Sequence, residues 1–579
     1  MTLRNFLLGA VAFGALCAGN AVAAEVTPAR LANPEPANWL LPLGNYSSHS
    51  YSPLNQINKT NVTNLKVKFM HAIGGGNPSS VGGANPGQRS TPMVADGVMY
   101  LHNAWSQVLK IDVSAGNRAQ TLWMADPKVQ AADSKPGGVS LLGNDVYHVT
   151  RNDMRLIRMD GQSGEIKFDV VTRGPDNVPG AERATGGQLA VKDMIITGAA
   201  GPGMRGWIGA WNASDGQFKW RFYTVPSPQE FGGDTWKDNH NAYLTGGAGI
   251  WSIPSYDPAT NLLIFGTGEP QPWADHDFRP GDNLFSVSTV ALDVDTGKLK
   301  WFFQEIPDES WDYDTVNAKM LYDIGTGANA VKAVGTYSRN GFFYTMDRVT
   351  GAFVSAAAYR DDVNWTAGID PKTGKPMEYN PAVNTQTYAN NKTLRVGRPD
   401  TSQNVCPSLA GPTWWPPAFD PRKQVAWDTS AATCVNQTIT QNIDPTRTDL
   451  RGNGGMWGGG NFWTFPAFGP ATGLLFAVDV KTSKKINQIV QPHATNGGLL
   501  ATGGDLLFAG QRDGMLIAYD QETLKELWSF NVGTPIGGPA ISYAVNNQQY
   551  IAVVVGGTRG SGPALAAYQI APMLVVFGL

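Results

Sequence analysis

Charge is scarce in this chain. Only 16% of its 579 residues are Asp, Glu, Lys or Arg, and the net charge is −3. A near-neutral surface gives no electrostatic grip on nucleic acid or an anionic membrane. Cysteine is scarcer still, at three residues. That excludes a disulfide-built scaffold, and the absence of any Cys-x-x-Cys-His means that no covalent c-type haem is encoded. The seven histidines show no zinc-site spacing. His102, His148 and His493 are scattered, and His240 and His276 read as loop or core residues. No Gly-x-Gly-x-x-Gly opens a helix, which disfavours NAD and FAD. No later apolar run reaches the length of a membrane span, so no stable membrane anchor is expected.

The N-terminus reads as an address. Arg4 supplies a positive start, Phe6 to Ala18 is apolar, and Ala21-Val22-Ala23 fits a small-residue cleavage site. The expectation is a cleaved signal peptide over residues 1–24 and a single domain over 25–579, exported to a bacterial periplasm. Cys406 and Cys434 then remain. In an oxidising compartment they can pair, closing a loop of about 28 residues and stabilising by roughly 3 kcal/mol. Two separate buried thiols are the alternative.

Turn formers and tryptophan are plentiful: Gly 67, Pro 38, Trp 18. Short apolar runs such as "GVMYLHN", "DMIITGA", "NLLIFGTG" and "DLLFAGQ" are bounded by Gly, Asp and Asn, the mark of strands and turns. Segments 125–135 and 360–405 read as irregular insertions. One plan recurs in "RMDGQSGEIKF" (158–168), "AWNASDGQFKW" (210–220), "ALDVDTGKLKW" (291–301) and "AYDQETLKELW" (518–528). A strand ends in Asp or Asn, a turn follows, and the next strand delivers an aromatic residue into the gap between neighbouring units. Such units cannot bury both faces alone, so they stack or close into a ring. Spacings of roughly 40–55 residues suit four-stranded propeller blades. The run "MLVVFGL" is positioned to close the ring beside "NLKVKF" (64–69). An ordinary β-sandwich is the competing architecture.

Acids mark the chemistry. "IPDESWDYD" (306–314) gathers Asp308, Glu309, Asp312 and Asp314. Alternation puts Asp312 and Asp314 on one side of an extended segment, a pattern that suits a hard cation. Glu269, in "FGTGEP", sits in a glycine corner where turn chemistry has no use for glutamate.

Several long motifs, agreeing in order and spacing, carry a resemblance. "GGDTWKDNHNAYLTGGAGIWSIPSYDPATNLLIFGTGEPQPW", "RPGDNLFSVSTVALDVDTGKLKWFF", "WDYD", "RNGFFYTMDRVTG" and "NGGLLATGGDLLFAGQRDG" are similar to those of the pyrroloquinoline-quinone (PQQ)-dependent alcohol dehydrogenases. The resemblance runs from about residue 38 to the end. It implies an all-β, eight-bladed β-propeller with tryptophan-docking repeats, and PQQ near the axis over Ca²⁺ or a lanthanide. It implies Trp251 as the floor under the quinone, Asp312 as the base that takes the alcohol proton, and Arg339 as hydrogen-bond donor to the quinone oxygens. Asp314 matches the extra acid of lanthanide-using members.

The departures are informative. Relatives usually have Gly-Thr-Gly-Asn-Pro where this chain has Glu269, the Asn being a metal ligand. They usually carry a ligand glutamate where this chain has the shortened "GPGMRG" (201–206). Charge balance then gives Glu269 and Asp312 as the anionic metal ligands, and the match to the extra acid of lanthanide-using members adds Asp314 as a candidate. The adjacent cysteine pair that caps the quinone in relatives is replaced around Ala131-Ala132, and Arg89 stands where relatives often have glutamate. An arginine there can meet a quinone carboxylate. The resemblance implies oxidation of an alcohol, here a bulky or secondary one, to an aldehyde or ketone. Electrons would leave to a separate cytochrome c or other acceptor. A cofactor-free propeller scaffold or binding protein, and a different oxidoreductase on the same propeller, are the competing functions.

Overall fold

The computed structural model describes residues 23–75, 87–130, 135–176, 181–327, 330–389, 400–408, 410–439, 443–444, 446, 450–451, 461–464, 472–493, 495–556 and 572–579. Of the segment 1–24 expected to be a signal peptide, residues 1–22 lie outside these residues, as do Ala131 and Ala132. The architecture is the expected eight-bladed propeller of four-stranded antiparallel sheets. Blades 1 to 5 occupy 93–125, 140–171, 189–223, 255–304 and 320–358. Blade 6 spans 418–491, blade 7 spans 495–531, and blade 8 combines three strands of 541–578 with Lys66–Ala72.

Closure is by pairing. Lys66–Ala72 runs antiparallel to Met573–Gly578, with Lys66 opposite Gly578 and Ala72 opposite Met573. A second tie is parallel, Tyr51 lying opposite Ala501 on the edge of blade 7.

The repeated motif builds the contact between blades. In blade 4 the turn begins at Asp293, whose Oδ1 accepts from the Thr296 backbone N–H (3.1 Å) and hydroxyl (2.8 Å). Trp220 of blade 3 donates its indole N–H to Val294 O of that turn at 2.9 Å. Its ring lies on Gly297, where a Cβ would come within 2.4 Å and where φ is +67°. Only glycine meets both demands. Trp301 repeats the contact on blade 5, donating to Arg348 O at 3.0 Å over Gly351. Trp123 does so on blade 2, donating to Gly161 O at 3.3 Å over Gly164.

Inner strands such as Val98–His102 and Leu262–Gly266 are buried throughout, whereas outer strands such as Ile166–Val171 alternate. Antiparallel order therefore places two sets of loops on one face of the ring, the hairpins between second and third strands and the links between blades. The tryptophan-docking turns lie on the other face.

Two expectations need correction. The irregular reading of 360–405 fails at its end, because Asp400–Val405 is a strand paired with Val435–Ile439. Val435–Ile439 belongs to an insertion (432–472) between the second and third strands of blade 6, and it pairs in turn with Asn461–Thr464. Backbone groups carried out of the propeller find partners in this small sheet. Cys406 and Cys434 are disulfide-bonded, with Cα atoms 4.4 Å apart, and tie the two segments together. The segment 125–135 likewise starts inside a strand, since Gln120–Ala125 completes blade 1.

Candidate active site

Loops of the first face converge on a cavity of about 350 Å³. Trp251 enters from the link between blades 3 and 4, and Glu269 from the hairpin after Leu262–Gly266. Asp312 and Asp314 enter from the link between blades 4 and 5, and Arg339 from the hairpin after Val331–Tyr337. Arg89, just ahead of blade 1, also lines it. All six residues singled out from sequence thus share one cavity.

The glycine corner is tightly built. Gly268 N–H donates to Gly249 O at 2.9 Å. A Cβ on Gly268 would sit 3.0 Å from Asp314 Oδ1 and 3.2 Å from the Trp251 indole nitrogen. Its lack of a side chain lets the Trp251 indole and the Asp314 carboxylate both close on it. Glu269 N–H donates to Asp314 Oδ1 at 2.8 Å. Carboxylate oxygens of Glu269, Asp312 and Asp314 all lie within 4.8 Å of one another.

Arg339 closes the group. Its Nη1 reaches Asp314 Oδ2 at 2.6 Å, Asp312 Oδ1 at 3.2 Å and the Asp312 carbonyl at 2.6 Å. Its guanidinium carbon lies 5.5 Å from the Trp251 ring centre. Asp312 is not in an extended conformation; its φ is +65°. The two aspartates still reach the same cavity, while Tyr313 between them points away and donates its hydroxyl to Pro407 O at 2.5 Å. The side chain of Asp314 is 2% exposed and that of Asp312 14%. Asp312 is therefore the more open of the pair.

The electrostatics are unbalanced. Burial, then Asp314, then Asp312 push the Glu269 carboxyl well above its usual range. Burial and Asp314 push Asp312 up in the same way against the pull of Arg339. Burial opposes the Arg339 charge, but Asp314 and Asp312 outweigh it and raise its pKa. Three buried acids around one guanidinium are a costly arrangement unless a further cation joins them. Oxygen donors at this spacing fit a hard metal ion.

The other two acids of the cluster are structural. Asp308 accepts from His276 Nδ1 at 2.7 Å, from Arg279 at 3.2 Å and from the Gln386 backbone N–H at 2.7 Å. Glu309 accepts from the Tyr313 N–H at 2.9 Å and from the Trp311 N–H. These bonds hold the loop that presents Asp312 and Asp314. His276 thus serves the scaffold, and His240 packs edge-on against Phe278 at 4.5 Å; neither lines the cavity.

Sequence reasoning passed over Gln271. Its Nε2 donates to Glu269 Oε1 at 2.9 Å and to Gly201 O at 3.3 Å, and its Oε1 accepts from Gly203 N–H at 2.8 Å. The shortened "GPGMRG" loop and Glu269 are thus physically joined. Arg151, Arg183, Thr185 and Trp414 also line the cavity and were not singled out. A repeat register would have marked Arg151: "VTRND" in blade 2 and "YSRNG" in blade 5 put an arginine in the same hairpin.

A tryptophan ring beside a metal-competent acid cluster, in one cavity of an eight-bladed propeller, is the arrangement expected of a quinoprotein dehydrogenase. Comparison with known proteins agrees. The family model described as glucose/ethanol/alcohol dehydrogenase, beta-propeller domain (PQQ) matches residues 39–361. The chain is 32% identical over 559 residues to the dehydrogenase subunit of the quinone alcohol dehydrogenase of Komagataeibacter europaeus, covering 91% of this chain and 72% of that one. It is 30% identical over 581 residues to quinoprotein alcohol dehydrogenase PedH of Pseudomonas putida, covering 95% and 91%. Quinohemoprotein alcohol dehydrogenase from Comamonas testosteroni superposes with a TM-score of 0.80 at 28% identity, covering 94% of this chain and 80% of that one. A europium-containing methanol dehydrogenase gives 0.82 at 25% identity, covering 95% and 99%. The chain belongs to the PQQ-dependent alcohol dehydrogenase family. It is an oxidoreductase whose cofactors are PQQ and a metal ion, and the cofactor-free scaffold is set aside. Among the described residues no helix is long and apolar enough to cross a membrane.

Proposed function

We propose that residues 25–579 form a single periplasmic domain that oxidises a bulky or secondary alcohol to an aldehyde or ketone. Electrons pass to a separate acceptor such as a cytochrome c. The observation that carries this reading is the convergence of Glu269, Asp312 and Asp314 within 4.8 Å, beside Arg339 and over Trp251. When bound, PQQ supplies a two-electron acceptor for the alcohol's hydride, and the ion supplies Lewis acidity.

The chain's own residues divide the remaining work. Asp312, the more open acid, takes the alcohol hydroxyl proton. Arg339 keeps the Asp312 carboxylate oriented and offers a fixed cation where negative charge develops. Trp251 gives the quinone a flat apolar floor. Glu269 and Asp314 are the buried carboxylates that, with Asp312, hold the ion, Ca²⁺ or a lanthanide. Glu269 supplies the charge that the shortened 201–206 loop lacks, and Gln271 joins the two. Arg89 meets a carboxylate of the quinone.

Reconstitution tests the reading. The purified protein, given PQQ with Ca²⁺ or La³⁺, is expected to reduce a dye at the expense of a secondary alcohol. Failure to bind PQQ under either ion would overturn it. Activity confined to methanol would overturn the substrate class.

A further inference from the structure

Tyr313 separates the two aspartates of the site and faces away from them. Its ring is fully buried in one aromatic cluster with Trp311, Trp365 and Tyr388, and Val405 and Val435 belong to the same cluster. Each valine adjoins one half of the Cys406–Cys434 disulfide. The Tyr313 hydroxyl donates to the carbonyl of Pro407, the residue after Cys406, at 2.5 Å. The disulfide and the acid loop thus meet through one hydrogen bond.

The segment after Cys406 is held on both sides. Away from the site, Cys406 N–H donates to Asn364 Oδ1 at 2.9 Å, Ser408 N–H to Thr433 O at 2.9 Å, and Ala431 N–H to Ala410 O at 3.0 Å. Toward the site, the segment packs against the arginine hairpin. A Cβ on Gly341 would lie 3.3 Å from the Pro407 ring, and one on Gly411 would lie 2.9 Å from Arg339 Cγ. One short stretch of chain therefore backs both the aspartate loop and Arg339.

The loop has reason to relax without that backing. Asp312 holds a φ of +65°, a left-handed conformation that persists only where its surroundings fix it. Oxygens of Glu269, Asp312 and Asp314 lie within 4.8 Å of one another, and like charges at that range repel. Glu309 holds the loop backbone through the Tyr313 N–H at 2.9 Å. The bond to Pro407 is what holds the Tyr313 hydroxyl.

We propose that the Cys406–Cys434 disulfide is a clamp on the metal site, acting through the bond from the Tyr313 hydroxyl to Pro407 O, so that the thiol–disulfide state of the protein sets its affinity for the ion. The clamp rests on the metal assignment above. Tyr313 is a positioning residue in it, outside the cavity lining, and acts through the aspartate on either side. Cys434 is half-buried, which leaves the sulfurs within reach of a small dithiol. Reduction opens the sulfur–sulfur bond to two thiols, and the dithiol closes to its own disulfide, giving up two electrons and two protons.

The test is titration of the purified protein, dialysed free of metal, with La³⁺, read by calorimetry beside denaturant unfolding. Tyr313→Phe is expected to raise the La³⁺ Kd about tenfold or more, the usual cost of losing a support behind a metal ligand. Reduction with dithiothreitol, removed anaerobically before titration, should raise the Kd to a similar degree, and reoxidation should restore it. Reducing Tyr313→Phe should add little, because both changes act through one bond. Tyr313→Phe keeps both cysteines, so it carries the test even where circular dichroism shows the reduced protein unfolding. An unchanged Kd in Tyr313→Phe, or in folded reduced protein, would overturn the clamp even if the denaturant midpoint falls, since a crosslink with no positioning role does only that. Losses that multiply when the two changes are combined would overturn it too, by placing them on separate routes. Oxidised wild-type protein that binds no La³⁺ would overturn the metal assignment and the clamp together.

Discussion

Gln271 spans the gap between Glu269 and the shortened loop before it, giving one amide hydrogen to Glu269 Oε1 at 2.9 Å while its own oxygen takes the Gly203 N–H at 2.8 Å. Every strong bond of the amide is thereby used to hold one carboxylate in place. Glu269→Gln is expected to strip the site of metal, measured as metal content per chain after dialysis. Full stoichiometric retention would refute the ligand role. Gln271→Ala should keep the ligand but loosen it, lowering metal affinity by about 10–100-fold, the usual cost of losing an outer-shell partner.

Asp312→Ala is expected to bind PQQ and yet turn over about 10²–10⁴-fold more slowly, the range of a lost general base. Binding by quenching and steady-state dye reduction separate the two effects. A near-normal rate would remove the assignment.

Blade docking predicts a stability effect remote from the cavity. Gly297→Ala forces a Cβ within 2.4 Å of the Trp220 ring at a φ of +67°. Overpacking and strain together should cost about 2–4 kcal/mol. Trp220→Ala should cost a similar about 3–5 kcal/mol. Denaturant unfolding of the two variants and of the double variant measures both, and the double should fall short of the sum because the residues touch.

Burial also predicts a pH dependence. Burial lowers the Lys135 amine from its ordinary 10.5 to about 7, although the amine donates to Gln188 Oε1 at 2.6 Å. Between about pH 7 and 10.5 the unfolded chain holds one more proton here than the native protein, so stability rises with pH across that window. Below about 7 both states are charged, and the full cost of burying the ammonium is felt. Lys319, lowered by burial to about 8, adds a slope of the same sign over a narrower range. Lys135→Met is expected to raise the thermal midpoint most at pH 7 and below, and to reduce the slope above it without abolishing it. An equal gain at pH 7 and pH 10 would refute the linkage.

Much of this site could be read from the chain before any coordinates. The Asp-turn-Gly-Trp plan exposed the blades because docking imposes a spacing, and Glu269 stood out because no turn needs it. Residues whose role depends on distant partners stayed hidden. Asp308 and Glu309 looked like companions of Asp312 until His276 and Arg279, about 30 positions away, claimed Asp308. Arg151 and Arg183 drew no notice, since nothing local tells a loop facing the cavity from one facing solvent. The 432–472 insertion escaped because its strands pair with one another and with 400–405, outside the blade period.

Closure by Lys66–Ala72 against Met573–Gly578 also sets an order of events. Cavity-lining residues run from Arg89 to Trp414, yet the ring that brings them face to face is sealed only by residues at the far end of the chain. Every side chain that lines the cavity therefore precedes in sequence the strand that closes the ring around it. Removing Met573–Gly578 takes away the partner of Lys66–Ala72, so the loops that line the cavity lose the closed ring that sets them opposite one another.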